Sequence, residues 1–143
     1  MSRWNSPWEL RNPEFYEDPR GGLFEVLRFK DDEVPGIGQI YTFSIAPGMR
    51  RGDHFHKFKE EWFTCVSGTA MVLLSVESGE CEAIEISASK PGVIYSAPGT
   101  SHALVNQTDQ PAVIVSYGSK QHDPDDPDTY SNEAYPGWAP EKQ

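Results

Sequence analysis

The sequence has little of several features that define other classes of protein. It contains two cysteines in 143 residues, Cys65 and Cys81, in unlike surroundings and without CxxC spacing. Both are predicted to be reduced thiols, with a single disulfide as the alternative that the sequence leaves open. No apolar run approaches a membrane span, and the polar N-terminus lacks the apolar segment of a signal peptide. The expectation is a soluble, cytoplasmic protein.

Basic residues are also scarce. The chain carries 12 Lys and Arg against 22 Asp and Glu, which gives a formal net charge of −10. An acidic chain repels the phosphates of nucleic acids and of anionic membranes, so neither is an expected partner. A phosphate-bearing ligand would have to meet a local cluster of basic side chains that opposes the overall field.

The middle of the chain shows no helical periodicity. It has about eight to ten short apolar or alternating runs, including 23–29 and 38–46, separated by turn residues such as Pro-Gly and Ser-Gly. This pattern predicts an all-β sandwich or barrel of jelly-roll type. The length suits one domain with one core. We expect an N-terminal arm at 1–17, a barrel at 18–117 and an irregular, acidic, proline-rich tail at 118–143.

Three histidines and a carboxylate form the candidate site. His54 and His56 lie two residues apart on a predicted extended segment, so their side chains point to one face. Glu61 opens the next apolar run, and His102 follows a Pro-Gly turn. Together, inside a barrel, they would form a mixed nitrogen and oxygen site for a divalent first-row metal. The alternative is a polar barrel interior without metal, which would leave several buried groups needing partners.

The spacing of these residues resembles the two motifs of the cupin superfamily. The first motif is matched by Gly48, His54, His56, Glu61 and Gly68. The second is matched by Gly92, Pro98, Gly99, His102 and Asn106, with Pro98 and Gly99 adjacent where one residue usually separates them. The resemblance implies a single-domain cupin, a double-stranded β-helix, with His54, His56, Glu61 and His102 as metal ligands. Glu60 competes with Glu61, which keeps the motif's spacing to Gly68.

A closer resemblance covers most of the chain. Segments 18–25, 38–39 and 50–54 look like the nucleotide-sugar branch of the cupins, which includes dTDP-4-dehydrorhamnose 3,5-epimerase and the dTDP-4-keto-6-deoxyglucose 3,4-ketoisomerases. The tail at 122–130 is similar to the end of the zinc cupin domain of a bifunctional capsular-polysaccharide enzyme, which epimerises C3 of a UDP-4-keto-sugar. That enzyme carries a reductase domain as well. This chain is expected to be a stand-alone version.

The resemblance implies a metal-dependent epimerase or ketoisomerase. It would act next to the keto group of a nucleotide-linked 4-keto-sugar, in polysaccharide or deoxysugar biosynthesis. Zinc is the expected ion, while iron, manganese and nickel also suit imidazole and carboxylate ligands. Two other functions stay open: an Fe(II) or Ni cupin dioxygenase, which uses the same four ligands, and a non-catalytic sugar-binding cupin with a structural metal.

The proposed chemistry also needs groups that carry protons. In metal-free relatives the residue that matches His54 is the base, a role that conflicts here with metal ligation. The other candidates are Lys57, beside the site, Tyr95, on the strand before the Pro-Gly turn, and Tyr41 and Tyr117 if their side chains face inward. The alternative for Lys57 is a solvated hairpin lysine, and for Tyr95 an amphipathic residue at the barrel mouth.

Substrate contacts are expected from arginines and tyrosines. Arg20 and Arg51 are candidates for a diphosphate clamp, as is Arg50, because a guanidinium fork matches phosphate oxygens. Their alternative is ordinary surface solvation. Tyr41 and Tyr117 are expected to contact a nucleotide-sugar or another small-molecule substrate if their side chains face inward.

We predict that the protein is a homodimer. Cupins of this branch are usually dimers in which N-terminal strands extend the partner's sheet, and the aromatic N-terminal arm fits that arrangement. Multi-angle light scattering is expected to give twice the 16.0 kDa chain mass. The mass of a single chain would contradict the prediction.

Overall fold

The structure of the protein is a computed structural model, and it describes residues 3–140. Within these residues it contains strands and no helix. The strands are β1 (Trp8–Arg11), β2 (Tyr16–Asp18), β3 (Gly21–Leu23), β4 (Gln39–Ile45), β5 (Arg50–Phe55), β6 (Glu61–Ser67), β7 (Thr69–Ser75), β8 (Cys81–Ser87), β9 (Val93–Ser96), β10 (Ser101–Val105), β11 (Ala112–Gly118) and β12 (Tyr130–Ser131). Between residues 3 and 140 no helix is long and apolar enough to cross a membrane.

Ten of these strands form two five-stranded sheets. The first has the order β1-β9-β6-β11-β4, and the second has the order β12-β5-β10-β7-β8. All the pairings are antiparallel, and β2 and β3 form a separate hairpin. The all-β jelly roll expected from the sequence is confirmed.

The core lies between the two sheets, because strand side chains alternate between faces. On β4, for example, Ile45 is buried while Ile40 is exposed. The inward row of β6 begins with Glu61 and continues with Phe63 and Cys65, all buried. The barrel interior therefore changes from polar to apolar along this strand, and the polar end is where the candidate site forms.

The outer face of the first sheet is covered by the N-terminal part of the chain. Trp4 is 6% exposed, and its ring centroid lies 5.6 Å from that of Trp62 and 4.7 Å from that of Tyr95. Its indole nitrogen donates to the carbonyl oxygen of Asp32 at 2.6 Å. This part of the predicted arm thus packs on its own barrel.

The strand predicted over residues 23–29 is wrong. Only its first residue belongs to a strand, β3, and the following segment runs irregularly over the first sheet. Val26 and Leu27 pack there against the cluster that contains Trp62 and Tyr117. A short apolar run predicts a strand, but here its residues cover an apolar face without joining a ladder.

The tail is more ordered than expected. Its short strand β12 pairs with β5, which places Tyr130 opposite Phe55 and Ser131 opposite His54. Further along, Ala134 is completely buried against Leu73 and Ala103. A strand of two residues is too short to show a periodic pattern in the sequence, so its pairing could not be foreseen.

We predict that Asn106 stabilises the end of the barrel away from the histidines. It is completely buried, and its amide donates to the carbonyl oxygens of Ile45 at 2.9 Å and Gln110 at 2.7 Å. Its side-chain oxygen accepts from the backbone and hydroxyl of Thr108. Asn106→Ala is expected to lower the free energy of unfolding by about 2–4 kcal/mol, because buried polar groups lose their partners. Urea unfolding followed by tryptophan fluorescence measures this loss.

The matched control is Gln107→Ala, which truncates the exposed neighbour. That substitution is expected to change the free energy of unfolding by less than about 0.5 kcal/mol. Equal losses in the two variants would contradict the assignment.

Candidate functional site

Four buried or half-buried side chains meet at the polar end of the barrel. One ligand atom each from His54, His56, Glu61 and His102 lies within 4.8 Å of the others. His54 belongs to β5, Glu61 begins β6 and His102 belongs to β10, while His56 directly follows β5. The two sheets thus bring together residues that are far apart in the sequence.

A β-bulge aims His54 at this cluster. His102 pairs with His54, whereas Ala103 pairs with Gly52, so Asp53 is an extra residue on β5. Gly52 and Asp53 have positive φ angles of 103° and 60°. A Cβ atom on Gly52 would lie 2.7 Å from the carbonyl oxygen of His102, so a side chain there would force the strands apart. Bulges of this kind redirect the side chains that follow them.

A backbone contact sets the tautomer of His56. Its Nδ1 lies 2.6 Å from the carbonyl oxygen of Asp128. A carbonyl oxygen only accepts, so Nδ1 carries the proton and donates it. In the neutral ring Nε2 then carries a lone pair, which points at Oε1 of Glu61 in a close contact.

The Glu61 carboxylate is held from its other side. Tyr41 donates a hydrogen bond to Oε2 at 2.5 Å, which leaves Oε1 facing the imidazoles. Burial tends to raise the pKa of Glu61, but its polar and charged neighbours, among them Lys59, hold the pKa below its usual range. Burial and the adjacent carboxylate raise the pKa of Tyr41, so the phenol stays a donor.

The residues fit a divalent cation. Among the described side chains, Nε2 of His56 and Oε1 of Glu61 are buried atoms without a hydrogen-bond partner. Two lone pairs that face each other in a buried site are unfavourable unless a proton or a cation lies between them. Burial lowers the pKa of His54, and it lowers the pKa of His102 to about 4, so both rings are neutral at neutral pH. Neutral imidazoles and an ionised carboxylate are the forms that bind zinc and similar ions.

A pocket of about 260 Å³ opens beside this cluster. His54 and His102 form part of its lining, together with Tyr41, Phe43, Arg51, Gly52, Phe63 and Leu104. The rings of Tyr41 and Phe43 are stacked with centroids 6.0 Å apart, which gives the pocket an aromatic wall. Arg51 lies with its guanidinium carbon 5.9 Å from the Phe43 ring, and its Nε donates to the carbonyl oxygen of Ser44.

Tyr41, Arg51 and His54 are therefore the predicted substrate or catalytic residues that the structure brings to the pocket. The four predicted metal ligands lie together, and two of them, His54 and His102, line the pocket. Glu60, the competing carboxylate, accepts a hydrogen bond from the hydroxyl of Tyr95 at 2.7 Å and does not belong to the cluster. Adjacent residues point to opposite sides near the start of a strand, which separates Glu60 from Glu61.

The structure places the other predicted residues outside the pocket. Tyr95 and Tyr117 pack with Trp62 on the outer face of the first sheet. Ser96 follows Tyr95 on β9, and Ser116 precedes Tyr117 on β11. Both serines are buried and point to the opposite face of the sheet. The turns alone do not reveal which face of a strand is inward, so the sequence could not decide between these positions.

Three predicted basic residues also lie elsewhere. Lys57 is exposed, with its Nζ 4.4 Å from the centre of the Tyr130 ring. Arg20 forms an ion pair with Asp18 at the turn of the β2–β3 hairpin, and its side chain is 90% exposed. Arg50 forms an ion pair with Asp53 at 2.5 Å. None of the three lines the pocket.

Sequence reasoning missed two residues that contact the cluster. Lys59 is 9% exposed, and its Nζ lies 3.9 Å from Oε1 of Glu61. Asp128 contacts His56 through its carbonyl oxygen from a position 72 residues further along the chain. Lys59 has no distinguishing signal in the sequence. The Asp-Pro-rich tail was the only indication of Asp128.

Comparisons with known proteins agree with the predicted resemblance. Residues 16–130 match the family described as the polysaccharide biosynthesis C-terminal domain. A UDP-2-acetamido-2,6-beta-L-arabino-hexul-4-ose reductase from Pseudomonas aeruginosa is 29% identical over 117 residues, which are 81% of this chain and 30% of that protein.

Two solved structures show the same fold. The capsular polysaccharide assembling protein CapF from Staphylococcus aureus has a TM-score of 0.66 and 28% identity, over 85% of this chain and 34% of that one. A dTDP sugar isomerase from Desulfovibrio desulfuricans has a TM-score of 0.81 and 14% identity, over 92% of this chain and 89% of that one. This chain thus spans about a third of the reductase and of CapF. The match over residues 16–130 shows that the chain belongs to the polysaccharide biosynthesis C-terminal domain family.

Proposed function

We propose that this chain is an isomerase that acts next to the keto group of a nucleotide-linked 4-keto-sugar, as an epimerase or ketoisomerase in polysaccharide or deoxysugar biosynthesis. The observation that carries the proposal is the buried cluster of three imidazoles and one carboxylate beside a pocket with an aromatic wall. Membership of a polysaccharide biosynthesis family supports it. The names of the P. aeruginosa reductase and of the D. desulfuricans isomerase also point to nucleotide-linked sugars, with the activity of each belonging to that protein.

The cluster is proposed to hold one divalent ion, with zinc as the expected metal. His54, His56, Glu61 and His102 would be its ligands. A cation held by these residues would supply positive charge for the oxygen of a neighbouring ketone, where negative charge develops when an adjacent C–H bond loses its proton. Tyr41 donates to Oε2 of Glu61, so Oε1 would be the carboxylate oxygen free to hold the ion.

His54 is the ligand best placed to contact a substrate. It is half-buried and lines the pocket, and its lowered pKa keeps the ring neutral, which is the form of a general base. A neutral ring can take the proton from the carbon beside the ketone, or it can complete the ligand set. A proton must then return to the opposite face of that carbon for epimerisation, or to the neighbouring carbon for ketoisomerisation. The remaining three side chains still form a site that suits zinc.

The size of the pocket and the position of Arg51 suit a ligand whose sugar ring enters the pocket while its phosphates remain outside. A volume of about 260 Å³ is at the small end for ligand pockets, so it suits a sugar ring better than a whole nucleotide-sugar. Arg51 is exposed at this mouth, on a chain that is otherwise strongly acidic. Its guanidinium is proposed to bind the diphosphate that links the sugar to its nucleoside.

The active form is proposed to be a homodimer. The β2–β3 hairpin is exposed along its whole length and packs in neither sheet. A two-stranded hairpin by itself is marginally stable in water, so contact with a second copy would stabilise it. The same hairpin carries Arg20 at its turn.

We predict that Glu61 is required for metal binding and Glu60 is not. Elemental analysis of the purified protein is expected to find about one divalent ion per chain. Glu61→Gln removes the anionic ligand and is expected to weaken zinc binding at least about tenfold in a chelator competition assay. Glu60→Gln changes the adjacent carboxylate, which bonds to Tyr95 outside the cluster, and serves as the matched control.

Equal affinities in these two variants would contradict the assigned ligand set. Bound iron together with oxygen uptake would support the dioxygenase instead of the isomerase.

We predict that the enzyme exchanges a substrate proton with solvent. Incubation with a nucleotide-linked 4-keto-sugar in D₂O is expected to introduce deuterium at C3, which mass spectrometry and proton NMR detect. His54→Gln removes the candidate base but leaves three ligands, so exchange is expected to fall by a factor of about 100 or more. The control is the zinc content of the same variant, which should be measured at saturating metal. Wild-type exchange in a zinc-loaded His54→Gln variant would exclude His54 as the base.

A further inference from the structure

The Asp-Pro-rich tail contains a side chain that the proposed chemistry does not use. The carboxylate of Asp128 accepts hydrogen bonds from three successive backbone N–H groups, those of Lys57 at 2.8 Å, Phe58 at 3.0 Å and Lys59 at 3.0 Å. These three residues belong to the four-residue loop, 57–60, that connects His56 with Glu61. One carboxylate thus holds three of the four residues between two of the candidate ligands, and the fourth, Glu60, donates its backbone N–H to the hydroxyl of Ser119 at 2.9 Å.

The backbone of the same residue contacts the first of these ligands. The carbonyl oxygen of Asp128 accepts from Nδ1 of His56 at 2.6 Å. Nε2 of His56 is thereby left without its proton and points toward the cluster. Asp128 therefore contacts the ring of one ligand and the chain that leads to the next.

The conformation of Asp128 is unusual in a way that suits this double contact. Its φ angle is 48°, in the left-handed region that Asn and Asp adopt more readily than most residues. The segment that follows is anchored to the same strand: Tyr130 pairs with Phe55, and Asn132 donates to the carbonyl oxygen of Asp53 at 2.9 Å. The tail is thus bonded to the neighbours of His54 on either side, Asp53 and Phe55, and this fixes the position of Asp128 beside His56.

We propose that Asp128 is a positioning residue for the metal site, which sets the tautomer of His56 and the separation of His56 from Glu61. Partners of this kind, which orient a ligand without touching the ion, commonly strengthen metal binding. The inference rests on the proposed metal site. The burial of Asp128 tends to raise its pKa, but the three N–H groups outweigh this and keep the pKa below its usual value, so the carboxylate is ionised at neutral pH.

The test compares Asp128→Asn with Asp126→Asn. Asparagine tolerates the left-handed backbone, but its NH₂ group cannot accept from the loop, so the variant removes bonds without adding backbone strain. Asp126→Asn makes the same charge change at an exposed position of the same tail. Zinc affinity is measured by chelator competition at a temperature at which circular dichroism shows both variants folded.

Asp128→Asn is expected to weaken zinc binding about tenfold, and Asp126→Asn to leave it unchanged. In the metal-free proteins, ¹⁵N NMR of the histidine rings is expected to show His56 protonated on Nδ1 in the wild type. Asp128→Asn keeps the backbone carbonyl but loses bonds that hold it against the ring, so a mixture of tautomers is expected in the variant. A residue that only stabilised the fold would shift the unfolding temperature without changing either quantity. Wild-type zinc affinity in folded Asp128→Asn would overturn the proposal.

Two further measurements apply if Asp128→Asn does not fold or if the wild-type protein binds no metal. If Asp128→Asn does not fold, hydrogen exchange of the wild-type amides of residues 57–59 replaces it: exchange at the rate of an unstructured chain would overturn the proposal, and slow exchange would support it. If the wild-type protein binds no divalent ion, the proposed metal site fails. The His56 tautomer of the metal-free proteins then decides separately whether Asp128 orients the ring.

Discussion

The site depends on one buried contact, in which Nε2 of His56 faces Oε1 of Glu61. Each atom is fixed from behind, because the carbonyl oxygen of Asp128 engages Nδ1 of His56 and the hydroxyl of Tyr41 engages Oε2 of Glu61. Neither partner can rotate to hide its lone pair without breaking a hydrogen bond. The fold therefore concentrates electron-rich atoms at one point of a buried interior, and a cation or a proton between them would relieve the resulting repulsion.

The surroundings of this contact come from distant parts of the sequence. The bulge at Gly52 and Asp53 orients His54, and the carboxylate of Asp53 accepts from Arg50 and from the backbone of Ala134. The outer face of the second sheet is completed by Ala134, which is fully buried. The tail thus belongs to the structure of the site, although its composition resembles that of an irregular terminus.

The sequence was informative where chemistry and spacing coincide. The jelly roll could be predicted from the many short strands between turn residues. The four candidate ligands could be predicted because the spacing of the histidines, the carboxylate and the turn glycines resembles the two cupin motifs. Side-chain direction on the strands was less predictable: Tyr41 lines the pocket, while Tyr95 and Tyr117 pack outside with Trp62. One residue of register exchanges the two faces of a strand, and apolar residues occur on both faces of the first sheet. The contact from Asp128 joins residues 72 positions apart, which no local pattern reveals.

The close approach of β5 to β10 at Gly52 limits how this pocket can be redesigned. Gly52 is part of the pocket lining, so it is an obvious position at which to narrow the mouth for a smaller substrate. Even an alanine methyl group there would lie 2.7 Å from the carbonyl oxygen of His102. Separating the strands to make room would move His54 relative to His102, because the two residues are partners in the ladder. Changes to the shape of the pocket are more accessible at Phe43, which lines it from β4 and is not a candidate ligand.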